Sequence, residues 1–463
     1  MHSHQYIVKG ETMKAVVCVK VIEGELNAFD ACALESALRI TDDVTVISMC
    51  PKSAEEPLRR LTRIGAKVIL LEDKAFAGSD TLATSYILSL AIKKLNPDLI
   101  FCGRQTTDGD TAQVGPCLAT LLGISPITNV MEICEVTDNK IGCRTRMGEE
   151  EQPLPALLTI ERICELRFPS IFSKLGEIEV WTNAEIGADV SKCGLSGSPT
   201  KVLKVYENKA GTRKCKFISK DEFLPLVQRL NAEKRETEKP QEAEIKLKEV
   251  WAIGGEVVPS AEAIAESVRV FAEDDPRKIA ELAEKENPEV ILWNADLKGR
   301  RNAPITAALL KTGLCADCTK LETDGKKLYM YRPAKSGNVT AKIECVTYPQ
   351  MATVRTVSDS SDIIVAAGKG VADKVDKIKE FAESIGAEFG ASRGLVDAGK
   401  ADYKHQIGLT GKTVSPQVYV AIGISGAVHH TCAIENPGTV IAINPDKDAR
   451  IFEYADYGII DEY

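Results

Sequence analysis

NPDLIFCGRQTTDGDTAQVGPCLATLLGIS (96–125) and NPEVILWNADLKGRRNAPITAALLKTGLC (287–315) are two versions of one passage. Each opens on Asn-Pro, continues with an apolar run of strand length and a polar loop, then enters a helix of small residues. Each closes on a glycine, Gly123 in the first and Gly313 in the second. A strand, a turn and a helix in that order form one half of a parallel βαβ unit. Further on, PLPALLTIER from Pro153 is matched by PQMATVRT from Pro349, so the period is a whole domain and not a short solenoid repeat.

Outward from the first passage, strands and helices alternate. VTVISM and AKVILL read as strands, SAEEPLRRLTRIG as a helix starting at a Ser cap, and TLATSYILSLAIKKL as an amphipathic helix. The alternation predicts an α/β fold with two related doubly wound parallel sheets. Between the copies, NAEKRETEKPQEAEIKLKE has almost no large apolar residue and reads as a linker or solvated arm. A third unit follows, with DIIVAAG, QVYVAIG and TVIAIN as strands and VADKVDKIKEFAESIG as a helix. The expected boundaries are a first domain over 13–190, an arm and charged linker over 191–245, a second and shortened copy over 246–357, and a C-terminal α/β domain over 358–463.

The chain has 463 residues, 44% of them hydrophobic and 27% charged, which suits several domains with buried cores. A net charge of −9 argues against a nucleic-acid partner. No apolar run reaches the roughly 18 residues of a membrane span. The polar leader MHSHQYIVKGET lacks an apolar signal core and reads as an addition ahead of a start at Met13. Fourteen cysteines are scattered singly apart from Cys315 and Cys318, without the ligand spacing of a zinc or iron–sulfur site. No metal is expected, and the usage fits a reducing, cytoplasmic setting.

Two groups of loops carry chemistry. In TTDGDTAQVGP a glycine-bearing turn leads into a helix N-terminus, a common anion site, yet it holds Asp108 and Asp110 and no P-loop lysine. Asp110 with Gln113 three residues on reads as a capping box, worth about 1 kcal/mol. In the third unit GASRGLVDAG (390–399), HQIGLTGKTVSP (405–416), GISGAVHH (423–430) and INPDKDARIFEYADYG (443–458) follow strands and fall where loops converge on a cofactor. Their small residues let backbone N–H groups approach a ligand closely.

YVAIGISGAVHH and VIAINPDKDARIFEYADYGII resemble the FAD domain of the electron-transfer flavoprotein alpha subunit. RPAKSGNVTAKI and PQMATVR are similar to that subunit's first domain, and Met13 to about Gln228 resembles the beta subunit. The chain as a whole therefore resembles a beta subunit fused ahead of an alpha subunit, which accounts for the repeat because the two subunits share a fold. The fold implied is two adenine-nucleotide-binding-like domains and a C-terminal FAD-binding domain.

The resemblance implies two sites. In the alpha-type FAD site Ser392 and Arg393 match the pair at the flavin, and Lys369 stands where the family carries an arginine. Gln406, Ile407, Gly408, Leu409 and Thr410 run beside the ring, with Thr410 at its N5 edge. Ser425, Gly426, Ala427, Val428, His429 and His430 surround its carbonyl edge and the phosphates, and Asn444 meets the adenosine. Arg393, Lys369, His430 and Thr410 are expected to tune the flavin, with no acid–base catalyst required. In the beta-type site Cys18, Asn27, Phe29 and Met49 border the adenine. Asp80, Thr81 and Thr84, in AFAGSDTLATSY, border a second flavin. Asp108, Gly109, Asp110, Thr111, Gln113 and Val114 form the loop that grips the nucleotide, its phosphate end at Thr111, Gln113 and Val114.

That second site holds AMP in family members that carry electrons singly, and a second FAD in members that bifurcate them. AFAGSDTLATSY and DGDTAQVGP resemble the bifurcating versions, as does Leu409 in GLTG. The implied function is electron transfer with two FAD and NADH as substrate, toward a dehydrogenase or quinone-linked acceptor and toward ferredoxin or flavodoxin. The alternative is a carrier with one FAD and one AMP. Three positions depart from the family: Lys369 for arginine, His429 for glutamine, and Ala28 for proline. RFPSIFSKLGEIEVW also lacks the basic docking helix of the beta subunit, so the partner surface is expected to differ.

Overall fold

In the first passage the apolar run after Asn-Pro is the strand Leu99–Gly103 and the small-residue run is the helix Val114–Leu122. The computed structural model describes residues 13–207, 213–232, 241–335, 337–356, 361–434 and 437–463. The leader before Met13 and residues 233–240 of the charged stretch lie outside them. The chain divides into two compact units. One comprises the residues up to 204 with 242–332 and 342–354, and the other comprises 205–241, 333–341 and 355–463.

The first unit holds both copies of the repeat. Its nine-stranded sheet runs Glu179–Trp181, Lys67–Leu71, Asp43–Met49, Lys14–Cys18, Leu99–Gly103, Ala156–Ile160, Pro126–Val136, Lys140–Thr145 and Gly148–Pro153. Its five-stranded sheet runs Ala265–Phe271, Leu247–Ile253, Val290–Asn294, Gln350–Val354 and Leu314–Cys318. The second order reproduces the five central positions of the first, strand for strand. The second sheet has no strand at the positions of Glu179–Trp181, Lys67–Leu71, Lys140–Thr145 and Gly148–Pro153.

The correspondence extends to backbone detail. Asn96 and Asn287 both end a helix in the left-handed conformation, with φ of 47° and 51°. Both copies carry a register shift where the strand after the small-residue helix meets its neighbour. A left-handed residue sits at each shift, Asn129 (φ 57°) and Asp317 (φ 62°). The helices Val114–Leu122 and Leu297–Leu310 pack on each other, with Cys117 Sγ 3.4 Å from the Pro304 carbonyl. Small residues on both helices permit that approach.

One helix boundary departs from expectation. SAEEPLRRLTRIG forms a short α-helix, Glu55–Arg59, between two 3₁₀ turns, and Ser53 does not cap it. Pro57 supplies no N–H for a longer α-helical ladder.

The second unit is a six-stranded parallel sheet ordered Lys216–Phe217, Tyr457–Ile459, Thr439–Ile443, Val418–Ile422, Ile363–Ala367 and Glu388–Ala391. The arm after the first domain is built into this unit. Lys216–Phe217 extends the sheet, and Phe223, Leu226 and Val227 of the helix Lys220–Ala232 join the core around Ile378 and Val420. Burying those three side chains ties down a segment whose other face is charged.

Candidate functional site

Each unit has a cavity at the carboxyl ends of its parallel strands, where open α/β sheets bind ligands.

In the first unit a cavity of about 360 Å³ opens between two helix N-termini. Asp80, Thr81 and Thr84 line it from the helix Thr81–Leu95, and Gln113, Val114 and Gly115 from the helix Val114–Leu122. The positive end of a helix dipole and its uncommitted first-turn N–H groups favour an anion there. Asp80 caps the first helix, its Oδ1 accepting from the N–H groups of Leu82 and Ala83 and its Oδ2 from the N–H and hydroxyl of Thr200. Thr81 donates to Gln113 Oε1 (2.7 Å), which locks the two helix starts together.

The capping box expected of Asp110 does not form. The helix begins at Val114, with Gln113 at its N-cap position and no side-chain cap. Asp110 instead has φ 52° and accepts from Gln105 Nε2 at 3.1 Å. Ala112 also has positive φ, 54°. Two left-handed non-glycine residues around Thr111 cost about 1–2 kcal/mol each, and such strain gathers at ligand sites. The turn leaves the helix N-terminus uncapped by carboxylate and opens its N–H groups to the cavity.

Cys18, Met49, Asp80, Thr81, Thr84, Gly109, Thr111, Gln113 and Val114 therefore meet around one cavity. Asn27, Phe29, Asp108 and Asp110 stand behind its walls. Asn27 Nδ2 donates to the Gln105 carbonyl at 2.9 Å, Phe29 lies beneath the Arg104 guanidinium, and Asp108 pairs with Lys20 at 2.6 Å. Burial alone would raise the Asp108 carboxyl, but the hydrogen bonds of Lys20 and Thr106 outweigh it and hold it below the usual range.

Sequence reasoning missed Asp30 and Arg332, both of which line the cavity. Burial pushes the Asp30 carboxyl up to about 7, against the N–H of Lys20, the side chain of Asn27 and the N–H of Gly103. Arg332 comes from the second copy. It is 5% exposed, donates through Nε to the Ala316 carbonyl at 2.8 Å, and leaves Nη2 buried without a hydrogen-bond partner. A buried guanidinium nitrogen without an acceptor is costly, and a polar ligand in the cavity would supply one. Its only sequence signal was its place in RPAKSGNVTAKI.

The second unit has a cavity of about 750 Å³. Lys369, Ser392, Arg393, Ile407, Ser425, Ala427, His429, His430 and Asn444 line it. Gln406, Gly408, Leu409, Thr410, Gly426 and Val428 do not, and serve as its scaffold. Gln406 Nε2 donates to the Thr410 hydroxyl at 2.7 Å, and the Leu409 N–H donates to the His429 carbonyl at 2.7 Å. Gly426 has φ 84°, and a Cβ there would sit 2.2 Å from the Ile451 nitrogen, so only glycine fits.

His430 is buried with both ring nitrogens engaged, Nδ1 at 2.9 Å from the Ile407 carbonyl and Nε2 at 2.8 Å from the Tyr419 hydroxyl. Nδ1 faces a pure acceptor, so it carries the proton and Nε2 accepts from Tyr419. Burial holds the imidazole down to about 4, so it is neutral at pH 7. The charged groups lining this cavity are Lys369, Arg393 and Arg450 with Asp446 and Asp448, and Arg393 is braced by Asp397 at 3.1 Å. Small-residue loops, three cations and a polar strand-end wall suit an extended dinucleotide.

Among the described residues no three His, Cys, Asp or Glu side chains gather as a metal would require, and no helix is long and apolar enough to cross a membrane.

Two strand-end cavities, one at paired helix N-termini and one among cationic small-residue loops, define the class: an α/β nucleotide-binding protein. Comparison with known proteins narrows it. The electron transfer flavoprotein domain matches residues 15–184 and 261–380, and the electron transfer flavoprotein FAD-binding domain matches 359–435. The electron transfer flavoprotein subunit alpha of Thermoanaerobacterium thermosaccharolyticum is 40% identical over 231 residues, covering 40% of this chain and 70% of its own. Protein FixA of Azorhizobium caulinodans is 39% identical over 222 residues, covering 43% of this chain and 79% of its own. The subunit beta of Clostridium acetobutylicum is 40% identical over 211 residues, covering 42% and 81%. The chain belongs to the electron transfer flavoprotein family, and its C-terminal domain is the FAD-binding one.

Proposed function

We propose that this chain is a beta-like and an alpha-like subunit in one polypeptide, and that it holds two FAD and bifurcates electrons taken from NADH. The observation that carries the reading is the first unit's cavity. It is lined by two helix N-termini and by Leu314, Cys315, Ala316 and Arg332 from the second copy, and Arg332 leaves Nη2 without a hydrogen-bond partner. With a phosphate group at the helix N-termini, that nitrogen offers a donor to a further part of a ligand longer than a mononucleotide.

FAD held there would supply the chemistry that couples two-electron oxidation of NADH to one-electron delivery, toward a dehydrogenase- or quinone-linked acceptor and toward ferredoxin or flavodoxin. The chain's own residues bind and orient. Thr111, Gln113 and Val114 receive the phosphates, with Asp80 fixing the facing helix. Arg332 supplies a hydrogen-bond donor from the second copy. In the C-terminal cavity Arg393 and Lys369 would hold the FAD and stabilise negative charge on it, Ser425 and His429 would line its site, and neutral His430 fixes the loop through Ile407. Lysine at 369 keeps the charge of an arginine but not its planar fork.

The second reading, a carrier with one FAD and one AMP, is favoured by the modest volume of the first cavity. Denaturing the purified protein and identifying the released cofactors separates the two.

A further inference from the structure

Two adjacent histidines line the second unit's cavity, and they differ in what holds them. Both lie on the short helix Val428–Thr431. The His430 ring is locked, with each nitrogen committed to a partner inside the fold. The His429 ring has no hydrogen-bond partner among the described residues. Only its main-chain carbonyl is engaged, accepting from the Leu409 N–H at 2.7 Å. His405 does not line the cavity; its Nδ1 lies 3.1 Å from the Phe389 carbonyl and its ring stands T-shaped against Phe389.

We propose that His429 is the proton-exchanging group of the C-terminal FAD site, binding a proton from solvent as negative charge is placed on the FAD held there and releasing it as that charge leaves. Two electrons and one proton delivered to bound FAD leave one negative charge in the cavity. A second proton, from water, bonds to the free imidazole nitrogen of His429 and offsets that charge. The site thus takes up two electrons and two protons in all. Electron delivery to an acceptor runs the balance backwards, and the imidazole returns its proton to solvent. This role rests on FAD occupying the C-terminal cavity and is indifferent to the nucleotide in the first.

The surrounding groups favour that assignment. Lys369, Arg393 and Arg450 line the cavity together with Asp446 and Asp448, and Asp397 pairs with Arg393 at 3.1 Å. Imidazole is the side chain whose ordinary titration falls near neutrality. His430, sealed between Ile407 and Tyr419, has no free nitrogen to protonate. Burial and then the Arg393 guanidinium hold the His429 imidazole below its ordinary value, so it starts neutral at pH 7. A negative charge added within a few ångströms pulls it the other way, by roughly one to three units. Glutamine, which the family carries at this position, can hydrogen-bond but cannot take up a proton.

The test uses the full chain with its bound cofactors, identified and counted first. In protein carrying isotope-labelled histidine, the His429 NMR signal is assigned by its loss in H429Q. It is then followed against pH in the oxidised and the dithionite-reduced states. Reduction should tighten its proton binding at least tenfold. Spectroelectrochemistry reads the same proton. Between the two His429 midpoints, the potential of the C-terminal FAD should fall by about 30 mV more per pH unit in the wild type than in H429Q, the equivalent of a tenfold change for a two-electron couple. A merely structural role would displace the potential equally at every pH. Should H429Q not hold FAD, the steeper window is read in the wild type alone. Absence of FAD from the purified chain contradicts the site itself; FAD present with an unmoved His429 midpoint and no steeper window overturns this role alone.

Discussion

His430 and Asp80 show what single side chains contribute here. His430 is neutral in the fold at about 4, against about 6.5 for a free histidine. The unfolded chain therefore binds the extra proton between those values, so stability is full above pH 6.5 and is lost as pH falls toward 4. The difference corresponds to about 3 kcal/mol. Melting of the wild type should steepen in its pH dependence over that window, and in His430→Asn, which retains a donor for Ile407, the slope should fall by about one proton. Asp80→Ala removes a helix cap and strands the Thr200 N–H. It should cost about 2 kcal/mol in urea denaturation and loosen the first cavity's ligand without altering the C-terminal FAD. Asp80 stood out in the sequence through AFAGSDTLATSY, and the fold adds that it caps the helix Thr81–Leu95. His430's neutrality was not legible, because Tyr419 lies on the strand Val418–Ile422 and only folding brings its hydroxyl to the ring on the following short helix.

At the scale of elements, the turn TTDGDTAQVGP is where local rules misled. Asp followed by Gln at the third position is a sound capping signature, and it fails because Asp110 and Ala112 take left-handed backbone that no sequence rule assigns to them. The strain is compatible with a loop shaped for its ligand. Ala112→Val puts a branched side chain at φ 54° and should lower stability by about 1–2 kcal/mol, with at least tenfold weaker retention of the nucleotide. Unchanged retention measured by equilibrium dialysis would mean that the turn's geometry does not matter to binding. The strands and longer helices, by contrast, were plain in the sequence: Thr81–Leu95 spans the predicted amphipathic run from end to end. Apolar period survives folding; turn geometry is decided by what packs around it.

Across the whole molecule, the repeat seen in two thirty-residue passages proved to be a shared strand order, down to the left-handed residue at each register shift. The arm was less legible. Its charged face reads as solvated, while three spaced apolar residues build it into the C-terminal sheet's core. The wall that Arg332 adds to the first cavity was invisible for a similar reason: it comes from the other copy, more than two hundred residues from the turn it faces. Arg332→Leu should release the first cavity's ligand, with affinity falling tenfold or more, while the C-terminal domain keeps its FAD. The central claim, two flavins on one chain, is tested most directly by denaturing the loaded protein, separating the released cofactors by chromatography and counting each per polypeptide. The account predicts two FAD and no AMP; one FAD with one AMP would contradict it.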